Sequence, residues 1–225
     1  MAIGRLFMVK IILFLTLFTL ACQAQSRFVQ LTTNKGNITL LLYDETPKHR
    51  DAFLHSIKKG LFNNATFNRV IQSFVSQGGE LDDTILEREK QHPKLPIKRI
   101  EVEIIPELFH KKGALGAGRN DNPQKSSYLT QIYLVAGRIF TDQQLDILEQ
   151  KKGIKFSLNQ REIYKTVGGT PHLDHDYTVF GEIVEGMAVA DAINSVITNK
   201  GDLPLIPIIF NPRILSNKET AKFRN

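Results

Sequence analysis

With 225 residues, 42% of them hydrophobic and 23% charged, the chain has the make-up of a folded globular protein and room for one large domain or two small ones. Its net charge of +6 permits a weak attraction to nucleic acid or anionic lipid, but Lys and Arg are mixed with Asp and Glu and form no block that specifies either. The single cysteine excludes an internal disulfide.

Arg5 and Lys10 lead into an apolar run over 11–21, short for a membrane span and the right length for the core of a secretory signal. Cys22 follows at once, placed like the lipid-accepting cysteine of a bacterial lipoprotein, although Thr19 stands where that motif usually has leucine. Residues 1–21 are therefore read as a removed signal segment and 22–27 as a short tether. Plain cleavage near Ala24 is the rival reading and a retained anchor the third. Each sends the chain to the periplasm or cell envelope, with an optional membrane anchor at Cys22.

Two strands, 27–33 and 37–43, flank the tight-turn signal Asn34-Lys35-Gly36 and predict a hairpin. Pro47 opens a predicted helix to about residue 59, with Ala52, Phe53 and Ile57 on its apolar side and Gly60 as the stop. The stretch 66–79, TFNRVIQSFVSQGG, reads as two strands around a break at Gln72-Ser73, and strict alternation puts Phe67 and Arg69 on one face. Residues 80–98 are polar and broken by prolines, which predicts a surface loop with one helical turn near Leu86. A strand is expected over 100–105 and a close backbone approach at the small residues 114–118. Over 130–135, a strand would point Gln131 and Tyr133 one way, Ile132 and Leu134 the other.

Thr141-x-x-Gln144 and Ser157-x-x-Gln160 resemble capping boxes and predict two short helices within an excursion, 138–166, too short to bury a core. The loop 168–176 gathers two His and two Asp, but nearly adjacent in sequence and on no rigid helix, so no metal is expected. A strand over 177–184, a helix over 187–196 and a last strand over 205–214 follow. Pro207 and Pro212 place that last strand at an edge or a bulge. A frayed tail, 217–225, closes a single domain over 28–216. Short strands separated by loops, with two helices packed on them, predict a mostly β closed barrel or sandwich.

Phe67-x-Arg69-Val70-Ile71 with Phe74-x-x-Gln77-Gly78-Gly79, Gly113-Ala114-Leu115, the Gln131 strand, Leu173-Asp174 and Thr178-Val179-Phe180-Gly181 follow one another as in the cyclophilins. From about 29 to 214 the chain resembles this family of peptidyl-prolyl cis-trans isomerases. The resemblance implies a closed eight-stranded barrel capped by two helices, with its active groove on the outside. It implies Arg69 as the catalytic arginine, with Phe74, Gln77, Gln131, Tyr133 and Leu173 in the catalytic groove. Substrate-contacting positions fall on Phe67, Val75, Gly118, Arg119, Ile132, His172 and Tyr177. Several depart from the family's pattern: Val75 stands for methionine, Arg119 for asparagine, Ile132 for an aromatic, His172 for the tryptophan of eukaryotic members and Tyr177 for histidine. These changes bear on cyclosporin sensitivity more than on catalysis.

The implied reaction rotates an X-Pro amide, so no nucleophile, cofactor or metal is required. Arg69 would donate to the twisted amide, with Gln77 and Gln131 orienting it and the substrate backbone. The implied partners are proline-containing polypeptides, met by a monomer with no nucleic-acid role. A proline-peptide-binding chaperone or scaffold with little turnover is the alternative.

Overall fold

The computed structural model describes residues 27–223; the signal segment and Cys22 lie outside them. β1 (Phe28–Thr33) and β2 (Gly36–Leu42) form the expected hairpin. Val29 and Leu31 on one strand, and Ile38, Leu40 and Leu42 on the other, are completely buried, as a period of two on one face requires. Thr33 pairs with Gly36 across a two-residue turn, and Gly36 takes φ +129°, a conformation that side chains resist.

α1 (Pro47–Lys58) begins on proline, whose missing N–H costs nothing in the first turn. Thr46 makes no side-chain cap. The Glu103 carboxylate takes that role, accepting from the Lys48 and His49 amides at 2.9 Å each. This corrects the strand expected over 100–105: only Ile100 bridges, to Ser127, while Glu103 turns toward α1.

The remaining elements are β3 (Ala65–Ile71), β4 (Val75–Gly79), α2 (Asp82–Gln91), β5 (Ala114–Ala117), β6 (Gln131–Val135), α3 (Asp142–Lys152), α4 (Leu158–Thr166), β7 (Val179–Glu185), α5 (Met187–Asn194) and β8 (Ile208–Ile214). The strands close in the order β1-β2-β7-β5-β6-β4-β3-β8, every ladder antiparallel. The result is the closed eight-stranded barrel, with α1 and α5 packed against its strands. Phe53, Phe62, Phe67, Phe180 and Phe210 fill the interior with the aliphatic residues of the strands. Phe67 and Phe210 lie 4.8 Å apart, and Phe53 meets Phe62 edge-on at 5.3 Å.

Four expectations change. Residues 82–91 form a full helix, α2, rather than a loop with one turn. It has no side-chain N-cap, but Asp82 and Asp83 in its first turn and Arg88 and Lys90 in its last oppose the helix dipole favourably. β8 is not an edge: it pairs with β1 over 210–214 and with β3 over 208–210, so Pro212 sits where β3 no longer needs its missing N–H. The tail is tied down: Phe223 stacks on Phe28 at 5.2 Å, and Glu219 binds Arg213 and the Ser216 amide. Finally, the excursion does bury a small core. Both capping boxes form, and Phe140, Leu145, Phe156 and Tyr164 pack with Phe109. Mutual bonds between Arg138 and Gly169 close its neck.

The buried His49 imidazole gives the fold a pH dependence, and the exposed His172 adds a smaller part to it. His49 lies between Glu103 (2.6 Å) and Ser127 (3.0 Å), and His172 packs on Phe74. Burial holds His49 below the ordinary histidine value of 6.5, outweighing the Glu103 contact, and partial desolvation against its neighbours lowers His172 as well. A depressed folded value means that the unfolded chain takes up protons first as pH falls. Stability is therefore full above about pH 6.5 and declines as pH falls through the window down to the folded values. Urea unfolding at about pH 7.5, 6.5 and 5.5 is expected to show a falling midpoint, and His49→Gln should flatten part of that slope.

Candidate active site

Strand register alone assembles the centre of the site. Arg69 on β3 pairs with Gln77 on β4, Gln77 with Tyr133 on β6, and Tyr133 with Gly116 on β5. These four residues make one row across four neighbouring strands, about 14 Å long at the usual strand spacing.

A bulge sets the phase of that row. Phe67 pairs with Gly78 and Arg69 with Gln77, so Asn68 is an extra residue on β3. Its side-chain amide donates to the Gly79 carbonyl at 2.6 Å and holds the bulge in place. Phe67 and Val70 consequently both point into the barrel, and Arg69 points out. This corrects two readings: Phe67 does not share a face with Arg69, and at 1% exposure it is core, not a substrate contact. Ile132 is corrected likewise, since it joins the barrel core with Leu134 while Tyr133 and Val135 face outward.

On the outer face lies a groove of about 380 Å³, lined by Arg69, Phe74, Val75, Gln77, Gly118, Arg119, Gln131, Tyr133, Leu173 and Tyr177. Phe74 is fixed by its backbone: its carbonyl accepts from the Ala136 and Gly137 amides at 3.0 and 2.9 Å. Asn194 of α5 pins the preceding turn, accepting from the Ser73 amide at 2.9 Å and donating to the Ile71 carbonyl at 3.1 Å. His172 is not among the groove-lining residues; its ring stacks behind Phe74 at 5.1 Å. On the opposite wall Arg119 lies 4.4 Å over the Tyr177 ring and donates to the Asp176 carbonyl at 2.8 Å.

The floor is an aromatic set in glycine. Tyr133 is buried, and a Cβ on Gly116 would fall 2.1 Å from its Cζ. Its hydroxyl, which needs a partner when buried, bonds to His110 Nε2 at 2.8 Å. Gly118 seats Gln131 in the same manner, since a Cβ there would lie 1.9 Å from Oε1. Gln131 Nε2 donates to the Glu80 carbonyl at 2.9 Å and to Asp82 at 2.6 Å, so it engages the start of α2 rather than Arg69. Among the described residues, the ion pair of Arg69 is with Asp202, through Nε at 3.6 Å; its side chain is 42% exposed.

The groove also takes in Leu81, Asp82 and Asp83, which the loop reading of 80–98 hid. The acidic first turn and basic last turn of α2, with Pro93 just beyond, were the sequence signals for that helix. The His and Asp residues of 170–176 serve separate tasks: Asp174 binds His110 and Tyr164, and Asp176 binds Lys125 and Lys152.

The outer groove on a closed barrel defines the class of protein, and comparison with known proteins places it. The family model for cyclophilin-type peptidyl-prolyl cis-trans isomerases matches residues 28–211. A Staphylococcus epidermidis protein carrying a peptidyl-prolyl cis-trans isomerase name is 30% identical over 185 residues, spanning 80% of this chain and 87% of its own. One from Staphylococcus saprophyticus is 32% identical over 174 residues, spanning 77% and 83%. Among solved structures, a Cryptosporidium parvum cyclophilin-type isomerase, crystallised in the presence of Ala-Pro, superposes with a TM-score of 0.60. That likeness covers 84% of this chain and 99% of the other at 20% identity, and it shows a shared fold. The chain belongs to the cyclophilin-type peptidyl-prolyl cis-trans isomerase family. It is an isomerase of X-Pro peptide bonds.

Proposed function

We propose that this groove turns over X-Pro bonds of exported polypeptides, with Arg69 stabilising the twisted amide. The observation carrying the reading is the row Arg69–Gln77–Tyr133–Gly116, which sets a guanidinium beside an aromatic floor on one rigid sheet. Rotation about an X-Pro bond faces a barrier of about 18–20 kcal/mol because the C–N bond has partial double-bond character. In the twisted state the prolyl nitrogen pyramidalises and its lone pair becomes an acceptor. A donor at that nitrogen acts only there and lowers the barrier without tightening ground-state binding. Phe74, Tyr133 and Leu173 offer the apolar walls for a prolyl ring. Gln131, with its amide hydrogens held by α2, keeps Oε1 available to a substrate amide. The use of Ala-Pro with the Cryptosporidium protein supports proline peptides as the ligand class.

Export rests on the apolar run over 11–21, and anchoring on Cys22 directly after it. In this reading the mature enzyme begins at Cys22, carries lipid there and works at the cell envelope on clients emerging unfolded. Intact mass of the protein isolated from its native envelope tests it: lipidated Cys22 is expected as the first residue. A terminus after Ala24, or an unmodified Cys22, removes the anchor from the proposal.

A further inference from the structure

We propose that the helical excursion is a positioning device for the groove: Tyr164 on α4, acting through a buried Asp174–His110 pair, fixes the floor residue Tyr133 and the Leu173 wall. The proposal rests on the isomerase reading and adds a role for 138–166, a segment that the reaction itself does not call for.

Four side chains, each under 5% exposed, form a continuous chain. The Tyr164 hydroxyl donates to Asp174 Oδ2 at 2.5 Å. Asp174 Oδ1 accepts from the His110 amide at 2.9 Å and meets His110 Nδ1 at 2.7 Å. His110 Nε2 meets the Tyr133 hydroxyl at 2.8 Å, and the two rings lie nearly parallel. The directions follow from chemistry. A carboxylate only accepts, so Nδ1 carries a hydrogen; in that Nδ1–H tautomer Nε2 accepts and the Tyr133 hydroxyl donates to it. Burial pushes both phenols far above their usual range, so both remain donors.

This bonding settles what the groove offers a substrate. The polar end of Tyr133 is engaged by His110, and the ring is what it offers the groove. A floor carrying a hydroxyl thus behaves as an apolar aromatic floor, which suits a prolyl ring. Asp174 is also the residue after Leu173, so the same carboxylate orients the floor and ties down one wall. α3 adds a second tie: Lys152 Nζ donates to the His172 carbonyl at 2.8 Å and to Asp176 at 2.6 Å. Both helices of the excursion therefore end on the loop that carries His172, Leu173 and Tyr177. Losing Tyr164's hydroxyl leaves Asp174 Oδ2 buried without that donor, and the carboxylate then has reason to turn away from His110.

A double-mutant cycle on the full chain tests this, read by isomerisation of a short Ala-Pro peptide. Tyr164→Phe keeps the ring among Phe109, Phe140 and Phe156 and removes only the hydroxyl. It is expected to raise KM about fivefold to twentyfold while kcat changes less than about twofold, because the floor grips ground and transition states alike. In a Tyr133→Phe background, where no hydroxyl needs directing, the same substitution should raise KM less than about threefold. An equal effect in both backgrounds overturns the proposal, as does an unchanged KM for Tyr164→Phe. Lys152→Ala, which cuts only the α3 tie, should also raise KM, and it carries the test if Tyr164→Phe does not fold. If the unmutated chain binds the peptide without accelerating exchange, the isomerase reading fails, and the same cycle read as peptide Kd by NMR titration still decides the brace.

Discussion

Arg69→Ala is expected to leave a folded barrel with little isomerase activity. Arg69 stands on the outer face, 42% exposed, and adds no volume to the core, so circular dichroism and the urea midpoint should stay close to the parent. Its pairing with Asp202 is through Nε at 3.6 Å, and the residue lines the groove. A hydrogen bond from a charged donor contributes roughly 1.5–3 kcal/mol. At about 1.4 kcal/mol per factor of ten, one such contact made in the twisted amide corresponds to about a 10- to 150-fold loss in kcat, and two to more. KM should move less than kcat, the opposite of the pattern expected for Tyr164→Phe, so the two variants separate chemistry from grip. Arg69→Lys should recover little, since an ammonium lacks the planar fork. Cis/trans exchange followed by NMR on Ala-Pro or Gly-Pro peptides measures this. Near-full catalysis by a folded Arg69→Ala would show that the arginine is not the stabilising group.

Gly116→Ala is the second large effect, and it arises from a residue with no reactive group. A methyl at that position would sit 2.1 Å from Tyr133 Cζ and 2.3 Å from Cε2 and Oη, far inside any real contact. Tyr133 cannot retreat, because His110 is stacked and bonded behind it and Tyr177 meets it edge-on at 6.2 Å. Either the ring swings into the groove or β5 shifts against β6 and β7. Overpacking of this kind costs about 1–3 kcal/mol, and a ring in the groove removes the prolyl subsite. The variant should therefore lose both peptide affinity and turnover, with a lower urea midpoint. Shrinking the ring as well, in Gly116→Ala/Tyr133→Val, should restore most of the stability and none of the floor. Unchanged peptide binding by Gly116→Ala would contradict the placement of the ring on β5.

The sequence made the barrel legible where one face of a strand is buried and the other wet. The 28–42 hairpin shows this, as do both capping boxes, whose reciprocal bonds formed as the spacing implies. The row at the centre of the groove was half legible. Alternation separated Tyr133 from Ile132 correctly, yet the resemblance still offered Ile132 as a contact. At Asn68 alternation failed, because a bulge changes the phase by one residue while leaving composition untouched, and so Phe67 was placed on the wrong face. The helix 82–91 was obscured by its missing N-cap and its sparse apolar positions, of which only Ile85 is buried. Residues 100–105 have a strand's alternation, but Glu103 bonds to α1 instead of a ladder. His110 and Tyr164 carried no local signal, since their meaning lies in Asp174, 64 and 10 residues away along the chain.

The seam of the barrel has a consequence for how the chain is made. β8 is the last strand, and its ladder with β1 joins Ile214 to Val29, nearly the whole length of the domain. Hairpins such as β1–β2 and β3–β4 can form as soon as their residues are free, but the ring has no local route to closure. Until the final strand is released from synthesis, both sides of the seam stand open, and the cylinder exists only as an incomplete sheet. Phe223 then stacks on Phe28 beside that seam, so the turn over 221–223 clasps β1. A barrel organised in this way closes only after β8 has been delivered, wherever in the cell that delivery takes place.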